Sequence, residues 1–145
     1  MKDQDNSLYP ERQPGPLAEL FGARVEQWYA LNEPVPVSGQ WCTAQDVIWA
    51  EQLGITAPDV KVLMRYGKSN GWLDGQPAAV TRTLGSGSIT YIGCALDEQS
   101  MMSAAKWMVA ESGATTLFPN LPKGVEVSVR SGAERQCGSS QIFRS

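Results

Sequence analysis

Histidine is absent from this chain of 145 residues. Without it the chain cannot form a Ser-His-Asp triad, a Cys-His dyad or a metal site with imidazole ligands. Cysteine is scarce: Cys42, Cys94 and Cys137 are odd in number and lie far apart in the sequence. Such a set is typical of free thiols in a reducing compartment rather than of a disulfide framework. We therefore expect a cytoplasmic location, no metal and no cofactor.

Long apolar runs and clusters of basic residues are also missing. No stretch has the length of a transmembrane helix, and residues 1–15 lack the apolar segment of a secretory signal. Lys and Arg are scattered, and the net charge is -3 with an isoelectric point of about 4.9. This composition argues against nucleic acid and membranes as partners. Hydrophobic residues, at 42%, are nevertheless frequent enough for a packed core.

Two helices are predicted from capping signals and apolar spacing. A short one covers residues 16–21, with Pro16 at its start and Gly22 as its stop. A longer one covers residues 97–112, where Asp97 or Ser100 provides the cap and Gly113 ends the helix. The apolar stripe of the longer helix, spaced at three and four residues, consists of Met101, Ala104, Ala105 and Met108.

Strands are indicated by alternating or β-branched segments. They are predicted over residues 24–29, 47–53, 60–66, 78–84, 88–93 and 125–130. Gly85, Ser86 and Gly87 separate two of these, so we predict a β-hairpin over residues 77–93. The same glycines lead into a strand and not a helix, which excludes a phosphate-binding loop. Residues 32–39, with two prolines and a glycine, are predicted as a loop, and no pattern is visible after Ser131.

The acidic residues form no recognisable catalytic pair. Asp97 and Glu98 are neighbours on a helix and do not face each other, so we interpret them as capping and first-turn residues. Asp46 and Glu51 could contact a sugar or a cation, but surface carboxylates are usually only solvated, and we expect that here. Cys94 follows a predicted strand without a histidine to activate it, so we expect a small buried side chain.

Tryptophan is frequent for a chain of this length. The five residues are Trp28, Trp41, Trp49, Trp72 and Trp107. Tryptophans stack on sugar rings, but more often they pack in cores and subunit contacts. Trp49 has apolar neighbours, so we expect it in the core. Trp72 and Trp41 are the candidates for an interface or a sugar contact, and Trp72, in a loop, is the one most expected to be exposed.

Several segments in one order resemble a known family. They are PGPLAELFGARVE at residues 14–26, WAEQL at 49–53, GQPAAVTR at 75–82, GSG at 85–87, and YIG with LD between 91 and 97. Their order and spacing are similar to the trimerisation domain of glycoside hydrolase family 42 β-galactosidases, over about residues 5–113. LPKGVEV, at residues 121–127, resembles the start of that family's small C-terminal β-domain.

The resemblance implies an α/β fold, namely part of a flavodoxin-like or class I glutamine-amidotransferase-like domain followed by the first strand of a small β-domain. It implies a lead-in over residues 1–14, the C-terminal part of the trimerisation domain over 15–115, and a linker with the truncated start of the β-domain over 116–145. The early strands and helices of such a domain are expected before Met1, and no apolar strand follows Arg130. We therefore expect a truncated or frame-disrupted piece of a longer gene.

The same resemblance implies a homotrimer in which this chain has no catalytic residue. Family members hydrolyse β-galactosides by a retaining mechanism with two glutamates on a TIM barrel, and nothing here matches that barrel. We predict no β-galactosidase activity from the 145 residues alone. Two alternatives remain: a carbohydrate-binding module that uses loop tryptophans, and a stand-alone amidotransferase-like protein, which the missing histidine disfavours.

Overall fold

The computed structural model describes residues 10–115 without a gap, and beyond them residues 5, 7, 118, 120–122, 125–131 and 136–142. The chain divides into two compact units, Met1–Ser112 and Gly113–Ser145. Each unit is described by itself.

The first unit consists mainly of antiparallel strands. A 3-10 turn (Gly15–Leu17) and helix α1 (Ala18–Phe21) precede seven strands, and helix α2 (Glu98–Glu111) follows them. The strands are β1 (Ala23–Ala30), β2 (Val35–Gly39), β3 (Thr43–Asp46), β4 (Trp49–Ile55), β5 (Lys61–Tyr66), β6 (Pro77–Leu84) and β7 (Gly87–Ile92). Five of them form one sheet in the order β3-β2-β5-β6-β7, while β1 and β4 pair as a separate ribbon. Every pair of neighbouring strands is antiparallel.

The α/β prediction is therefore wrong, both as a flavodoxin-like and as an amidotransferase-like fold. Parallel strands need crossover connections of roughly a dozen residues or more, usually helices. In the part of the chain that the structure describes, only α1, with 4 residues, and α2, with 14, are α-helices. α2 comes after β7, the last strand of its unit, so it connects no two strands of the sheet. The alternating strand patterns and glycine turns favour hairpins, as the structure shows.

The hairpin predicted over residues 77–93 is confirmed. β6 and β7 pair in continuous register from Ala79↔Ile92 to Leu84↔Gly87. Gly85 turns the chain with a φ of 58°, a conformation that L side chains rarely adopt. β6 lies between β5 and β7, and its first five residues are all buried. The hairpin thus forms one edge of the sheet, β7, and the strand next to it, β6.

Both helix predictions are confirmed at their ends. Gly22 ends α1 in the left-handed region, with a φ of 62°. At α2 the Asp97 carboxylate accepts a hydrogen bond from the Ser100 N–H at 2.7 Å, and Gly113 follows with a φ of 65°. The predicted apolar stripe of α2 is wrong in part, because Ala104 is fully buried whereas Met101 is exposed.

The strand predictions for residues 24–29 and 60–66 are confirmed as β1 and β5, but the loop predicted over residues 32–39 is wrong because it contains β2. The loop was predicted because proline has no backbone N–H to donate in a strand ladder, and Pro36 lies in this segment. Pro36 lies opposite Gln45 of β3, but the pairing of β2 with β5 includes only residues 37–39. Strand β4 starts two residues later than predicted, because Val47 and Ile48 are exposed.

The core lies between the β1-β4 ribbon and the sheet. Its main cluster consists of Val35, Val37, Ala50, Met64, Tyr66, Leu73, Ala78, Ala79 and Cys94. A smaller cluster joins Ala23 and Val25 of β1 and Leu53 of β4 to Val80 of β6. Trp49, expected in the core, is only half-buried. The ribbon is therefore held on the sheet by aliphatic side chains from both.

The second unit contains a hairpin of β8 (Val125–Ser131) and β9 (Gln136–Ile142), paired from Val125↔Ile142 to Ser131↔Gln136. β8 confirms the strand predicted at residues 125–130. β9 was missed, because its sequence QCGSSQI has no alternating pattern. No helix among the described residues is long and apolar enough to cross a membrane.

Candidate functional site

Trp72 lies in an ordered loop between β5 and β6. The Asn70 Oδ1 atom accepts hydrogen bonds from the backbone N–H groups of Trp72 and Leu73, each at 3.1 Å. Asp74 Oδ1 accepts two more, from Ser69 at 2.8 Å and Gly71 at 3.1 Å. Leu73 is fully buried and anchors the loop, whereas the neighbouring Trp72 is 66% exposed. The expectation that Trp72 is exposed is confirmed, and its position is set by the loop.

One partner of Trp72 comes from a distant part of the sequence. The ring of Tyr29, on β1, stacks on the indole with 5.9 Å between centroids and 24° between planes. The two rings border a cleft of about 490 Å³ that the segment 30–36 and residues 68–70 complete. Small-molecule sites commonly have volumes of roughly 300–1,000 Å³. The cleft is therefore large enough for a small ligand.

Trp41, the second candidate, lies elsewhere in the unit and has a different partner. Its ring contacts that of Trp107 on α2, with centroids 5.6 Å apart and planes tilted by 50°. Trp41 is half-buried, and its indole N–H is buried without a hydrogen-bond partner in the described part of the chain. The structure does not bring Trp41 into the Trp72 cleft.

Asp46 and Glu51 are not the solvated carboxylates that the sequence suggested. Their side chains are buried, with residue exposures of 1% and 6%. Burial raises the pKa of Asp46, although hydrogen bonds from backbone N–H groups, that of Ile48 foremost, partly lower it. Burial also raises the pKa of Glu51, whose Oε2 accepts a hydrogen bond from the Tyr91 hydroxyl at 2.7 Å. The expectation failed because tertiary packing, not local sequence, covers these groups.

Tyr66 is a buried polar residue that the sequence reasoning missed. Its hydroxyl donates to the carbonyl oxygen of Gly93 at 2.6 Å and accepts from the Glu51 N–H at 3.2 Å. These bonds connect β5, in the sheet, to β4, in the ribbon, and to the segment after β7. Burial raises the pKa of Tyr66 above its ordinary value. A tyrosine at an inward position of the predicted strand was the available signal, because its hydroxyl needs a partner when buried.

Cys94 is buried, as expected, and carries a free thiol. Burial, followed by the nearby Asp46, raises the pKa of the Cys94 thiol to about 12. Since the thiolate is the reactive form, this cysteine is unsuited to act as a nucleophile. Among the described residues no group of three His, Cys, Asp or Glu side chains could hold a metal ion.

Helix α2 exposes three large apolar side chains among its polar ones. Met101, Met102 and Val109 are all exposed, and only Ser100 and Ala104 of this helix are buried. Large exposed apolar side chains that lie together mark surfaces where another protein binds. The described chain thus combines an apolar helix surface with a separate aromatic cleft.

The sequence of this chain matches a known family and several known proteins. The family model described as the β-galactosidase trimerisation domain matches residues 1–113. β-Galactosidase Bga of Halorubrum lacusprofundi is 32% identical and covers 91% of this chain, which spans 20% of that protein. β-Galactosidase BgaH of Haloferax lucentense is also 32% identical, over 90% of this chain and 19% of its own length.

Solved structures agree with these sequence matches. The structure of the polyextremophilic β-galactosidase from the Antarctic haloarchaeon Halorubrum lacusprofundi has a TM-score of 0.70 at 34% identity, covering 91% of this chain and 19% of that one. The cold-adapted β-galactosidase of Rahnella sp. R3 has a TM-score of 0.77 at 19% identity, covering 99% and 22%, and shows the fold alone. The chain spans about a fifth of the length of these relatives. None of these matches supports a carbohydrate-binding module or an amidotransferase.

Proposed function

Because this chain belongs to the family of β-galactosidase trimerisation domains, we propose that it joins the subunits of a β-galactosidase and carries no catalytic residue itself. The family match over residues 1–113 is the observation that carries this proposal. In the protein that contains the chain, two carboxylates on a separate barrel would hydrolyse terminal β-D-galactosides with retention of configuration. The chain would serve carbohydrate metabolism through assembly.

The exposed apolar surface of α2 supports an assembly role. Subunit interfaces that are permanent bury more apolar area than transient ones, and methionine is enriched in them. Met101, Met102 and Val109 offer such area on one short helix. We place the contact between subunits on this helix, which is attached to the rest of the unit in part by the Trp41–Trp107 contact.

The domain boundaries and the location are part of the same proposal. We assign residues 15–115 to the trimerisation domain, preceded by a lead-in over 1–14, and residues 116–145 to a linker and the start of a β-domain. The division of the chain between Ser112 and Gly113 supports a boundary close to this point. A cytoplasmic location is supported by the free thiols of Cys42 and Cys94, since reducing compartments keep thiols unpaired.

Light scattering on the full-length protein tests the assembly role. We expect the mass of a trimer, and Met102→Glu should shift the protein towards monomer, because a charge would be buried in an apolar contact. Gln99→Glu is the matched control, since it adds the same charge at an exposed polar position of α2. A full-length protein that is monomeric in solution contradicts the assembly role.

The predicted lack of catalysis is tested on the 145-residue chain. A chromogenic β-galactoside is incubated with the purified chain and, in parallel, with the full-length protein. We expect turnover only with the full-length protein. Turnover by the purified chain would refute the statement that it carries no catalytic residue.

A further inference from the structure

We propose that the cleft beside Trp72 binds a neutral sugar ring, with the exposed face of the indole as its platform. The cleft is formed within the first unit by Trp72, Tyr29, the segment 30–36 and residues 68–70. Sugar binding at this cleft does not depend on subunit assembly, because the apolar surface proposed for assembly lies on α2.

Trp72 is held as a platform with one open face. Tyr29 stacks on one face of the indole at 24° between the ring planes, and Trp72 nevertheless remains 66% exposed, so the opposite face is the one available to a ligand. The loop fixes the backbone of Trp72 through the hydrogen bond from its own N–H to Asn70 Oδ1. The backbone of the loop is therefore already ordered before a ligand arrives, which lowers the cost of binding.

The rim of the cleft provides hydrogen-bond donors and acceptors, and charges of both signs. Asn32, Glu33, Lys68 and Asn70 line it, and they contribute one negative and one positive charge. The Oδ1 atom of Asn70 is used by the loop, so its two N–H donors are left for other partners. Balanced charge around an aromatic platform suits a neutral ligand with many hydroxyl groups.

The same rim disfavours a subunit contact at this place. The centres of protein interfaces are depleted in lysine and glutamate, and here Lys68 and Glu33 border the aromatic pair. A sugar ring, by contrast, combines an apolar face of C–H groups with a hydroxyl edge. Galactose suits a platform with one open face, because its C3, C4 and C5 hydrogens project on the same side of the ring.

The experiment is a titration of the 15N-labelled 145-residue chain with methyl β-D-galactoside, followed through the indole N–H resonances of its five tryptophans. We expect the Trp72 resonance to move, with a dissociation constant on the order of 1 mM. The resonance is assigned by its loss in Trp72→Phe, and methyl β-D-glucoside should bind more weakly.

Three variants separate the contribution of the Trp72 ring from general effects of losing a tryptophan. Binding by the Trp72 variants, which lack this indole resonance, is followed through the backbone N–H resonances of Lys68 and Asn70 at the rim. Trp72→Ala should weaken binding about tenfold, while Trp72→Phe, which keeps a smaller ring, should weaken it by a smaller factor. Trp28→Ala is the matched control, since Trp28 is also exposed but lies outside the cleft, and it should leave binding unchanged. Circular dichroism verifies that each variant is folded.

Three results would overturn the sugar site. One is no shift of the Trp72 resonance by either glycoside in folded protein. Another is binding that Trp72→Ala leaves intact. The third is a change in sedimentation of the full-length protein on Trp72→Ala without sugar binding, which would identify the cleft as a protein contact instead.

Discussion

Removing the hydroxyl group of Tyr66 should destabilise the first unit far more than the same change at another tyrosine. Tyr66→Phe keeps the ring in the core and deletes one oxygen, which lies 2.6 Å from the carbonyl oxygen of Gly93. The same oxygen is 3.1 Å from the carbonyl oxygen of Glu51 and 3.2 Å from its nitrogen. The substitution therefore tests how the ribbon, the sheet and the segment after β7 are held together.

The expected loss in the free energy of unfolding depends on which backbone groups still have a hydrogen-bond partner after the substitution. The Glu51 N–H also donates to the Gly93 oxygen at 2.7 Å, so neither of these two groups is left without a partner. What is lost is one short hydrogen bond, worth about 1–1.5 kcal/mol, and the packing of one buried oxygen. We expect a loss of about 2 kcal/mol in the free energy of unfolding. At roughly 4 °C per kcal/mol for a chain of this length, the midpoint falls by about 8 °C.

Tyr29→Phe is the matched control. The Tyr29 hydroxyl is 3.4 Å from Gln52 Oε1 and only part-buried, so its loss should change the free energy of unfolding by less than about 0.5 kcal/mol. Urea unfolding followed by circular dichroism measures both variants against the original chain. Equal effects of the two substitutions, or no effect of Tyr66→Phe, would refute the view that the Tyr66 hydroxyl connects the ribbon to the sheet.

Two further predictions concern the buried carboxylate Asp46 and the glycine turn at Gly22. Burial raises the pKa of Asp46, so its contribution to stability is fully present below the ordinary value of about 3.9 and is lost as pH rises through the folded-state pKa. The melting temperature of Asp46→Asn should therefore rise relative to that of the original chain as the pH increases from about 4 to about 7. A difference in melting temperature that stays constant across this range would contradict the reasoning. Gly22→Ala should lower the free energy of unfolding by about 1–2 kcal/mol because of the left-handed backbone alone. The loss should be larger than this, because the new Cβ would lie 2.6 Å from Val60 Cγ2 and 2.8 Å from Ala57 Cβ. Gly85→Ala, with a similar φ and no atom within 4 Å, isolates the backbone contribution, and equal losses of melting temperature would show that packing at Gly22 adds nothing.

The candidate site was only partly predictable. Trp72 was expected to be exposed because it stands among glycine and polar residues in a loop. Its stacking partner, Tyr29, was not predicted, because nothing in a local pattern indicates which strand lies beside that loop. The burial of Asp46 and Glu51 was missed for the same reason. Local composition treats a carboxylate as solvated, and only packing from other elements removes the water.

What the sequence determined by itself is local: the turn at Gly85, the cap that Asp97 provides for α2, and the ends of α1. Each depends on backbone preferences and on hydrogen bonds between residues close in sequence, so a short window contains the necessary information. The segments that resemble the trimerisation domain also identified the family. The α/β fold inferred from that resemblance was wrong, because strand pairing depends on residues far apart in the chain. Only the tertiary structure decided that β2 joins the sheet, that Tyr66 connects it to the ribbon, and that Tyr29 lies behind Trp72.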